Sequence, residues 1–257
     1  MQVIQTIAEL KNIRAQIKSP IGLVATMGNL HAGHLSLLQT ALIENEVTFL
    51  SIFINPTQFN NVDDFQQYPK TLAEDLAQAK AMQVDYVFVP TQEEMYPDQY
   101  SYNIVETALS HLLEGKHRPG HFDGMLTIVM KLLLLIMPQR AYFGEKDYQQ
   151  YQLIHGLVKA FFLPISIVSC PTIRETSGLA MSSRNNLLSD EQKEQAKLFP
   201  KFFHSGLPCQ HIKELLIKAG FVVDYVEEYD NRRFAAVRIG KVRLIDNVYL
   251  TQMSFRD

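Results

Sequence analysis

Short apolar runs alternate with segments of helical periodicity through most of the chain before residue 175. The runs at 21–26 and 47–54 have the length and composition of buried strands. The segments that follow them, 34–44 and 71–82, repeat apolar residues every three to four positions and so predict helices. By the same criteria we predict helices at 7–17, 126–137 and 149–161, and strands at 85–89, 141–144 and 164–170.

Strands that alternate with helices pair in parallel through right-handed crossovers, so this region predicts an α/β fold with a Rossmann-like parallel sheet. Ligands of such sheets bind beyond the carboxyl ends of the strands. The segments 26–28 and 55–58 both fall at such an end. We therefore expect a Rossmann-like N-terminal domain over 1–174, with its ligand site at this edge of the sheet.

The pattern changes in the last part of the chain. Two helical segments, 190–203 and 211–219, precede three predicted strands at 222–228, 233–239 and 242–245. Strands grouped beside short helices indicate a smaller α+β C-terminal domain, which we assign to 175–257.

Composition and charge exclude several classes of protein. A net charge of -3 argues against a nucleic-acid partner, because nucleic-acid binders carry a basic surplus. The 2 cysteines, Cys170 and Cys209, do not form a disulfide framework, and the N-terminus lacks the apolar block of a secretory signal. The most apolar stretch, 126–137, is interrupted by Lys131 and is too short to cross a bilayer. We expect a cytoplasmic protein with no membrane partner.

The segment TMGNLHAGH at 26–34 carries the first candidate chemistry, because it joins a predicted strand to a predicted helix. The N-terminus of a helix offers unpaired N–H groups that bind phosphate. His31 and His34 share one face of the first turn and would both donate hydrogen bonds to a phosphoryl group. Gly28 permits a tight turn, and Gly33 permits a close approach of the backbone. The alternative is a pair of structural or metal-binding histidines, although no Cys or spaced His supplies a third zinc ligand.

Two later segments contain groups suited to a triphosphate. In GEKDYQQ at 144–150, Lys146 is a point charge that can reach phosphate oxygens, and Gln150 follows it along the same helical face. In MSSRN at 181–185, two hydroxyls and a guanidinium are the donors that a triphosphate needs. Taken alone, the turn at 144–147 is typical of solvated surface, and the segment 181–185 is also a weak signal.

A small acid and a metal ion have candidate ligands near the second predicted strand. Asn55 and Gln58 place two amides at the end of that strand, where they suit a neutral or carboxylate-bearing substrate. Asp75, on the next predicted helix, could hold Mg²⁺ through water. An exposed helix acid is the simpler interpretation of Asp75.

Taken in this order, the segments resemble the pantoate–β-alanine ligase family (pantothenate synthetases) of the H-x-G-H nucleotidyltransferase superfamily. The resemblance covers nearly the whole chain and is densest from 24 to 190. The matching stretches are TMGNLHAGH (26–34), INPTQF (54–59), YPKTLAEDL (68–76), LEGKHRPGHFDG (113–124), AYFGEKDYQQ (141–150), GLAMSSRNNLLS (178–189) and RLIDN (243–247).

The resemblance implies a two-step reaction. The carboxylate of (R)-pantoate attacks the α-phosphate of ATP to give pantoyl adenylate and pyrophosphate, and the amine of β-alanine then displaces AMP to form pantothenate. It also implies Mg²⁺, a homodimer, and a small C-terminal domain that acts as a lid.

The resemblance further assigns residues to each role. His34 is implied to be the proton-donating residue, although our chemical reasoning favours electrostatic stabilisation by both His31 and His34. Lys146, Ser182 and Arg184 complete the catalytic set, and Asp75 is a candidate Mg²⁺ ligand. Asn55, Gln58 and Gln150 are assigned to pantoate, with Gln58 also near β-alanine. The remaining residues assigned to ATP are Met27, Gly28, Asn29, Leu30, Ala32, Gly33, Gly144, Glu145, Asp147, Ile173, Met181 and Ser183.

Some features depart from the family pattern. Ala25 stands where the family usually has proline, and the stretch 132–137 is more apolar than usual. The chain from 190 on is shorter than usual, with abbreviated helices. For the motif at 118–124 the sequence supports only an ordering or gating role.

Two other functions use the same ATP-binding residues. One is another H-x-G-H nucleotidylyltransferase that acts on a small acid or a nucleotide; the amides of Gln58 and Gln150 would have no role in a nucleotide-accepting site. The other is a catalytically silent ATP-binding protein, which should have lost His34, Lys146 or Arg184.

Overall fold

The structure is a computed structural model that describes residues 1–60 and 65–252. These residues form two compact units. The first contains the described part of Met1–Glu145 together with Gln149–Cys170, and the second contains Lys146–Tyr148 together with the described residues from Pro171 onward. The short segment Lys146–Tyr148 therefore belongs to the C-terminal unit, although residues of the N-terminal unit flank it in the sequence.

A parallel sheet of six strands forms the centre of the N-terminal unit. Its order is β1-β4-β3-β2-β5-β6, and every neighbouring pair is parallel. Thr26 at the end of β2 pairs with Ile52 at the end of β3, so these two carboxyl ends lie level. The strands are β1 (Gln2–Ile4), β2 (Ile21–Thr26), β3 (Val47–Ile52), β4 (Tyr86–Phe88), β5 (Arg140–Gly144) and β6 (Ser166–Cys170).

Helices cover both faces of this sheet. Consecutive strand residues point to opposite faces, so Leu23 belongs to one apolar cluster and Val24 to another. Burial on both faces explains why the strands are continuous apolar runs. The helices are α1 (Ile7–Gln16), α2 (Ala32–Glu44), α3 (Leu72–Ala81), α4 (Gln92–Met95), α5 (Leu113–His117), α6 (His121–Ile136) and α7 (Tyr148–Ala160), of which Tyr148 belongs to the C-terminal unit.

The C-terminal unit packs helices against an antiparallel sheet. Its strands are β7 (Val222–Tyr229), β8 (Arg232–Ile239) and β9 (Val242–Tyr249), in the order β7-β8-β9, and its helices are α8 (Asp190–Ala196), α9 (Leu198–Phe203) and α10 (Cys209–Lys218). The β7–β8 turn has positive φ at both Asp230 and Asn231, as a two-residue hairpin turn of type I′ requires. Ala235 and Val237 of β8 pack with Phe199 and Phe203 of α9 to form the core.

The predicted fold class is confirmed: the structure has a Rossmann-like parallel sheet and a smaller unit of helices and antiparallel strands. The strand β1 was missed, because three residues at a sheet edge show too little periodicity. Helix α6 begins at His121 rather than at the predicted 126, since its first turn is not part of the apolar stretch. Among the described residues, no helix is long and apolar enough to cross a membrane.

Candidate active site

The turn after β2 shapes the first part of the site. Gly28 and Asn29 have φ values of 83° and 50°, a region that glycine adopts freely and asparagine tolerates. The Thr26 hydroxyl accepts a hydrogen bond from Gly28 N at 3.2 Å and donates one to Ser51 O at 2.9 Å. The turn is thereby attached to both β2 and β3.

Asp75 of α3 anchors the same turn. Its carboxylate is 1% exposed and accepts hydrogen bonds from Asn29 N at 2.9 Å and Leu30 N at 2.7 Å. The Thr71 hydroxyl donates a third at 3.2 Å. A Cβ on Gly28 would lie 2.9 Å from Asp75 Oδ2, so a larger residue would push the turn away from this carboxylate. The geometry favours an anchoring role for Asp75 over the Mg²⁺ contact that we predicted.

Replacing Asp75 with asparagine should separate these two roles. Because the new amide cannot accept hydrogen bonds at both of its ends, one backbone N–H of the turn loses its partner, and we expect the KM for ATP to rise about 10-fold. The Mg²⁺ concentration that gives half-maximal activity should stay unchanged. The matched control is Glu74→Gln, which removes the exposed acid next to it. A large increase in the Mg²⁺ requirement of Asp75→Asn would instead support metal binding.

The two histidines lie at the start of α2. His31 is the residue before the helix, and its Nδ1 accepts a hydrogen bond from Gly33 N at 3.1 Å. The rings of His31 and His34 are 4.1 Å apart between centroids and 31° apart in plane. A Cβ on Gly33 would lie 2.8 Å from His31 Cε1, so the absence of a side chain lets the ring fold over the helix end. The helix N-terminus and the two imidazoles therefore lie together in one cluster.

The cap fixes the protonation pattern of His31. A ring nitrogen that accepts an N–H carries no hydrogen, so the proton of a neutral His31 lies on Nε2. Nε2–H is then the group that His31 can donate to an anion. The phosphate-binding role of the two histidines stays a prediction that this arrangement permits.

A buried turn after β3 carries the two predicted amides. Asn55 is 0% exposed; its Oδ1 accepts hydrogen bonds from Tyr96 OH at 2.7 Å and Thr57 Oγ1 at 3.0 Å. Its Nδ2 donates to Gly124 O at 3.1 Å and to Gln58 Oε1 at 3.3 Å. A phenol is protonated at neutral pH and can donate, and burial raises the pKa of Tyr96 further above its ordinary 10.0. Asn55 thus joins four neighbouring groups by hydrogen bonds, and one of these bonds orients the Gln58 side chain.

Gln58 connects this turn to the first motif. Its Nε2 donates to Met27 Sδ at 2.8 Å, so the residues after β2 and β3 are in direct contact. Gln58 is only half-buried. The prediction that these two segments meet at one edge of the sheet is confirmed by this contact.

The motif at 118–124, for which we predicted only an ordering or gating role, holds Gln58 from the other side. Arg118 Nη2 and His121 Nδ1 both contact Gln58 O, at 3.2 and 2.7 Å. A Cβ on Gly124 would lie 2.4 Å from Thr57 O, so this glycine lets α6 approach the turn closely. This contact leaves no local signal in the sequence, because Arg118 and His121 lie 60 and 63 positions from Gln58 in the chain.

The amides at the start of α7 have different environments. Gln149 is buried, donates to Leu109 O at 2.8 Å and Leu112 O at 2.9 Å, and accepts from Glu114 N at 3.0 Å. Gln150 is half-buried. Gln149 therefore anchors α5, whereas the assignment of Gln150 to pantoate stays a prediction from the family pattern.

The predicted site residues are divided between the two units. The N-terminal unit contains Met27–His34, Asn55, Gln58, Asp75, Gly144, Glu145 and Gln150, and the C-terminal unit contains Lys146, Asp147, Ile173 and Met181–Arg184. Gly144 is the last residue of β5, and Lys146 and Asp147 form an ion pair at 3.5 Å in the turn that follows.

Within the C-terminal unit, the segment 173–185 is an ordered loop. Met181 N donates to Ile173 O at 2.9 Å, and the Ser182 hydroxyl accepts from Arg184 N at 3.3 Å. The Asn185 side chain donates to Glu175 Oε1 at 2.6 Å and to Ala180 O at 3.1 Å. The hydroxyl and guanidinium groups of Ser182, Ser183 and Arg184 therefore lie on a loop whose backbone is held by hydrogen bonds within the loop.

Comparison with known families identifies this combination of motifs. The profile of the Pantoate-beta-alanine ligase family matches residues 2–249. The chain belongs to the pantoate–β-alanine ligase family. It is therefore an enzyme, and the resemblance found in the sequence is confirmed.

Relatives of this ligase family match the chain over almost its full length. The pantothenate synthetase of Coxiella burnetii is 53% identical over 248 residues, covering 96% of each chain. The pantothenate synthetase of Legionella pneumophila is 51% identical over 252 residues, covering 97% of this chain and 100% of the relative.

Solved structures of the family share the fold. A pantoate–β-alanine ligase from Francisella tularensis, described as complexed with beta-gamma ATP and β-alanine, has a TM-score of 0.94 at 42% identity and covers 98% of both chains. Pantothenate synthetase from Thermus thermophilus has a TM-score of 0.89 at 37% identity, covering 97% of this chain and 99% of that one. The two-unit architecture is therefore that of the family.

Proposed function

We propose that this ligase joins (R)-pantoate and β-alanine through a pantoyl-adenylate intermediate and releases AMP and pyrophosphate. The observation that carries the proposal is the placement of His31 and His34 at the N-terminus of α2, with Met27 in contact with Gln58. An anion-binding helix end thus adjoins a site suited to a small hydroxy acid.

In the first step, the pantoate carboxylate attacks the α-phosphate of ATP, and pyrophosphate leaves. Negative charge is redistributed toward the phosphate oxygens as the bond breaks, so preorganised donors lower the barrier. His31 Nε2–H, His34 and the backbone N–H groups of α2 would supply these donors. Gln58 and Gln150 would hold pantoate, with Asn55 fixing the orientation of Gln58.

Residues of the C-terminal unit would bind the remaining parts of ATP. Lys146 would provide a positive charge for its phosphates, and Ser182, Ser183 and Arg184 would provide hydroxyl and guanidinium donors. The backbone of Ile173 would contact adenine.

In the second step, the amine of β-alanine attacks the carbonyl carbon of the adenylate. The carbon–oxygen bond to AMP breaks, the amide forms, and the amine loses its proton. Adenylation makes this possible because AMP is a far better leaving group than a carboxylate oxygen. Exclusion of water would protect the intermediate from hydrolysis.

Mg²⁺ would enter with ATP. The described residues contain no group of three His, Cys, Asp or Glu side chains that could hold a metal ion, and Asp75 already accepts hydrogen bonds from the turn. Within 1–60 and 65–252, the residues do not fit a protein-held metal site. Mg²⁺ usually retains water and binds phosphates of the substrate, which is the arrangement we propose here.

We also propose that the enzyme is a cytoplasmic homodimer, as the family resemblance implies. Cys170 and Cys209 are both free thiols, which suits a reducing compartment. Sedimentation equilibrium should give twice the chain mass of 29.4 kDa.

Isotope exchange between pyrophosphate and ATP tests the proposed order of steps. Pantoate alone should support exchange in the absence of β-alanine, because the adenylate forms reversibly before the amine is needed. Omitting pantoate should abolish the exchange. If exchange requires all three substrates, the adenylate intermediate is the wrong mechanism; exchange supported only by a nucleotide acceptor would favour a nucleotidylyltransferase.

A further inference from the structure

One face of the β8–β9 hairpin is not used by the core of the C-terminal unit. Arg232 pairs with Tyr249, and Phe234 pairs with Asn247 across the two strands. Because side chains alternate along a strand, these four residues share one face, whereas Ala235, Val237 and Leu244 point to the helices on the other. The RLIDN motif at 243–247 therefore presents Asn247 away from the core.

This face contacts the segment that carries Lys146. The Arg232 guanidinium is 3.6 Å from the ring centroid of Tyr148 and 3.8 Å from that of Tyr249. The two phenol oxygens are 3.4 Å apart, and the Tyr148 ring is 6.3 Å from Phe234. Arg232 is 2% exposed, so the cation lies between two aromatic rings with little access to water. Tyr148 is thereby fixed on β8 and β9.

Asn247 extends this contact to Lys146 itself. Its Nδ2 donates a hydrogen bond to Lys146 O at 2.8 Å, and its Oδ1 accepts one from Arg232 Nη1. Asn247 is 4% exposed, so little water reaches this contact. The Asn247 side chain therefore provides the Lys146 carbonyl with a hydrogen bond that water would not readily replace. An amide is needed here because it donates and accepts at the same time.

We propose that Asn247 and Arg232 are positioning residues for Lys146. They fix the backbone from which the Lys146 side chain extends, and the C-terminal unit thereby sets where its ammonium group meets a phosphate. The attraction between an ammonium group and a phosphate depends on the distance between them. A backbone that holds Lys146 less firmly therefore weakens the binding of the phosphate. The proposal rests on the proposed function, in which Lys146 binds the phosphates of ATP.

Asn247→Asp tests the hydrogen bond directly. The carboxylate keeps an acceptor for Arg232 but has no N–H for Lys146 O. Asn247→Ala removes the same donor without adding charge, and both variants should agree. We expect the Kd for ATP, measured by titration calorimetry, to rise about 5- to 100-fold, the range for leaving one buried acceptor without a partner. The matched control is Arg243→Gln, at another position of the same motif. This change breaks the 2.7 Å ion pair of Arg243 with Asp224 on β7 and should leave the Kd for ATP unchanged.

A double-mutant cycle distinguishes positioning from general loss of structure. In a Lys146→Ala background, the effect of Asn247→Asp on ATP binding should largely disappear, because Asn247 acts through Lys146. Titrations are made well below the lowest melting midpoint of the variants. An unchanged Kd in both Asn247 variants, or an equally large loss without Lys146, would overturn the proposal. The cycle measures ATP binding alone, so it tests the positioning of Lys146 independently of the reaction. Failure of the wild-type enzyme in the pantoate-dependent exchange would count against the proposed reaction instead.

Discussion

His34→Ala should slow the adenylation step by roughly 10²–10³-fold, the usual cost of removing one preorganised donor from a site of charge redistribution. His34 lies in the first turn of α2, with its ring 4.1 Å from that of His31. It is a cleaner test than His31, which also caps the helix through Gly33 N. The measurement is the rate of pantoate-dependent exchange between pyrophosphate and ATP.

The control for this substitution is His155→Ala. His155 is an exposed histidine of α7 outside the predicted site, so its loss should leave the exchange rate unchanged. Circular dichroism spectra of both variants should match that of the unmodified enzyme. An exchange rate near normal in His34→Ala would remove this residue from the mechanism.

Asp246→Ala should lower the free energy of unfolding by about 3 kcal/mol, toward the lower end of the cost of breaking a buried ion pair. Asp246 is buried on β9 and accepts hydrogen bonds from Arg174 at 2.7 and 2.9 Å and from His204 at 2.9 Å. The Arg174 side chain is 27% exposed and can regain some water, which limits the loss. Urea unfolding followed by circular dichroism measures the effect, since the chain has no tryptophan for fluorescence.

Lys197→Ala is the control for this stability measurement, because it removes an exposed ion pair with Glu194 in the same unit. Exposed pairs contribute little, so the change should be small. If Asp246→Ala and Lys197→Ala lower the free energy of unfolding equally, burial does not determine how much the ion pair of Asp246 stabilises the fold.

The same carboxylate gives the stability a dependence on pH. Burial acts to raise the pKa of Asp246, but hydrogen bonds from His204 and Arg174 outweigh it and hold the pKa below the ordinary 3.8. The unfolded chain then takes up this proton at higher pH than the folded one. The stabilisation is complete above the unfolded pKa and is lost as the pH falls from there through the folded pKa, so Asp246→Asn should reduce the acid sensitivity of unfolding.

The parallel sheet could be predicted well because its strands are buried on both faces. Runs such as 21–26 and 47–52 have apolar residues at four of six positions, without the strict alternation of a strand that is buried on one face only. The edge strand β1 has three residues and a single buried side chain, so its pattern is too short to recognise.

Local chemistry at the site could likewise be predicted where it depends on neighbouring residues. The location of His31 and His34 at the start of a helix follows from their place just after a buried strand. The partners of Gln58 O, by contrast, come from Arg118 and His121 on a later loop and helix, which no local spacing reveals.

Asp75 shows the same limit for a single side chain. Its position on a helix gave no sign that it turns inward to a loop 45 and 46 residues earlier in the chain. The contact of Asn247 with Lys146 spans 101 positions. Helical periodicity and motif spacing describe segments, whereas these contacts depend on how the segments pack.

The fate of the pantoate carboxylate oxygens tests the central claim most directly. Pantoate labelled with ¹⁸O in its carboxylate is incubated with the enzyme, ATP, Mg²⁺ and β-alanine. The masses of the products are then measured by mass spectrometry. An adenylate intermediate predicts one labelled oxygen in AMP and one in pantothenate, because the attacking oxygen leaves with the phosphate. Label in inorganic phosphate, accompanied by ADP, would contradict the adenylate and indicate an acyl phosphate.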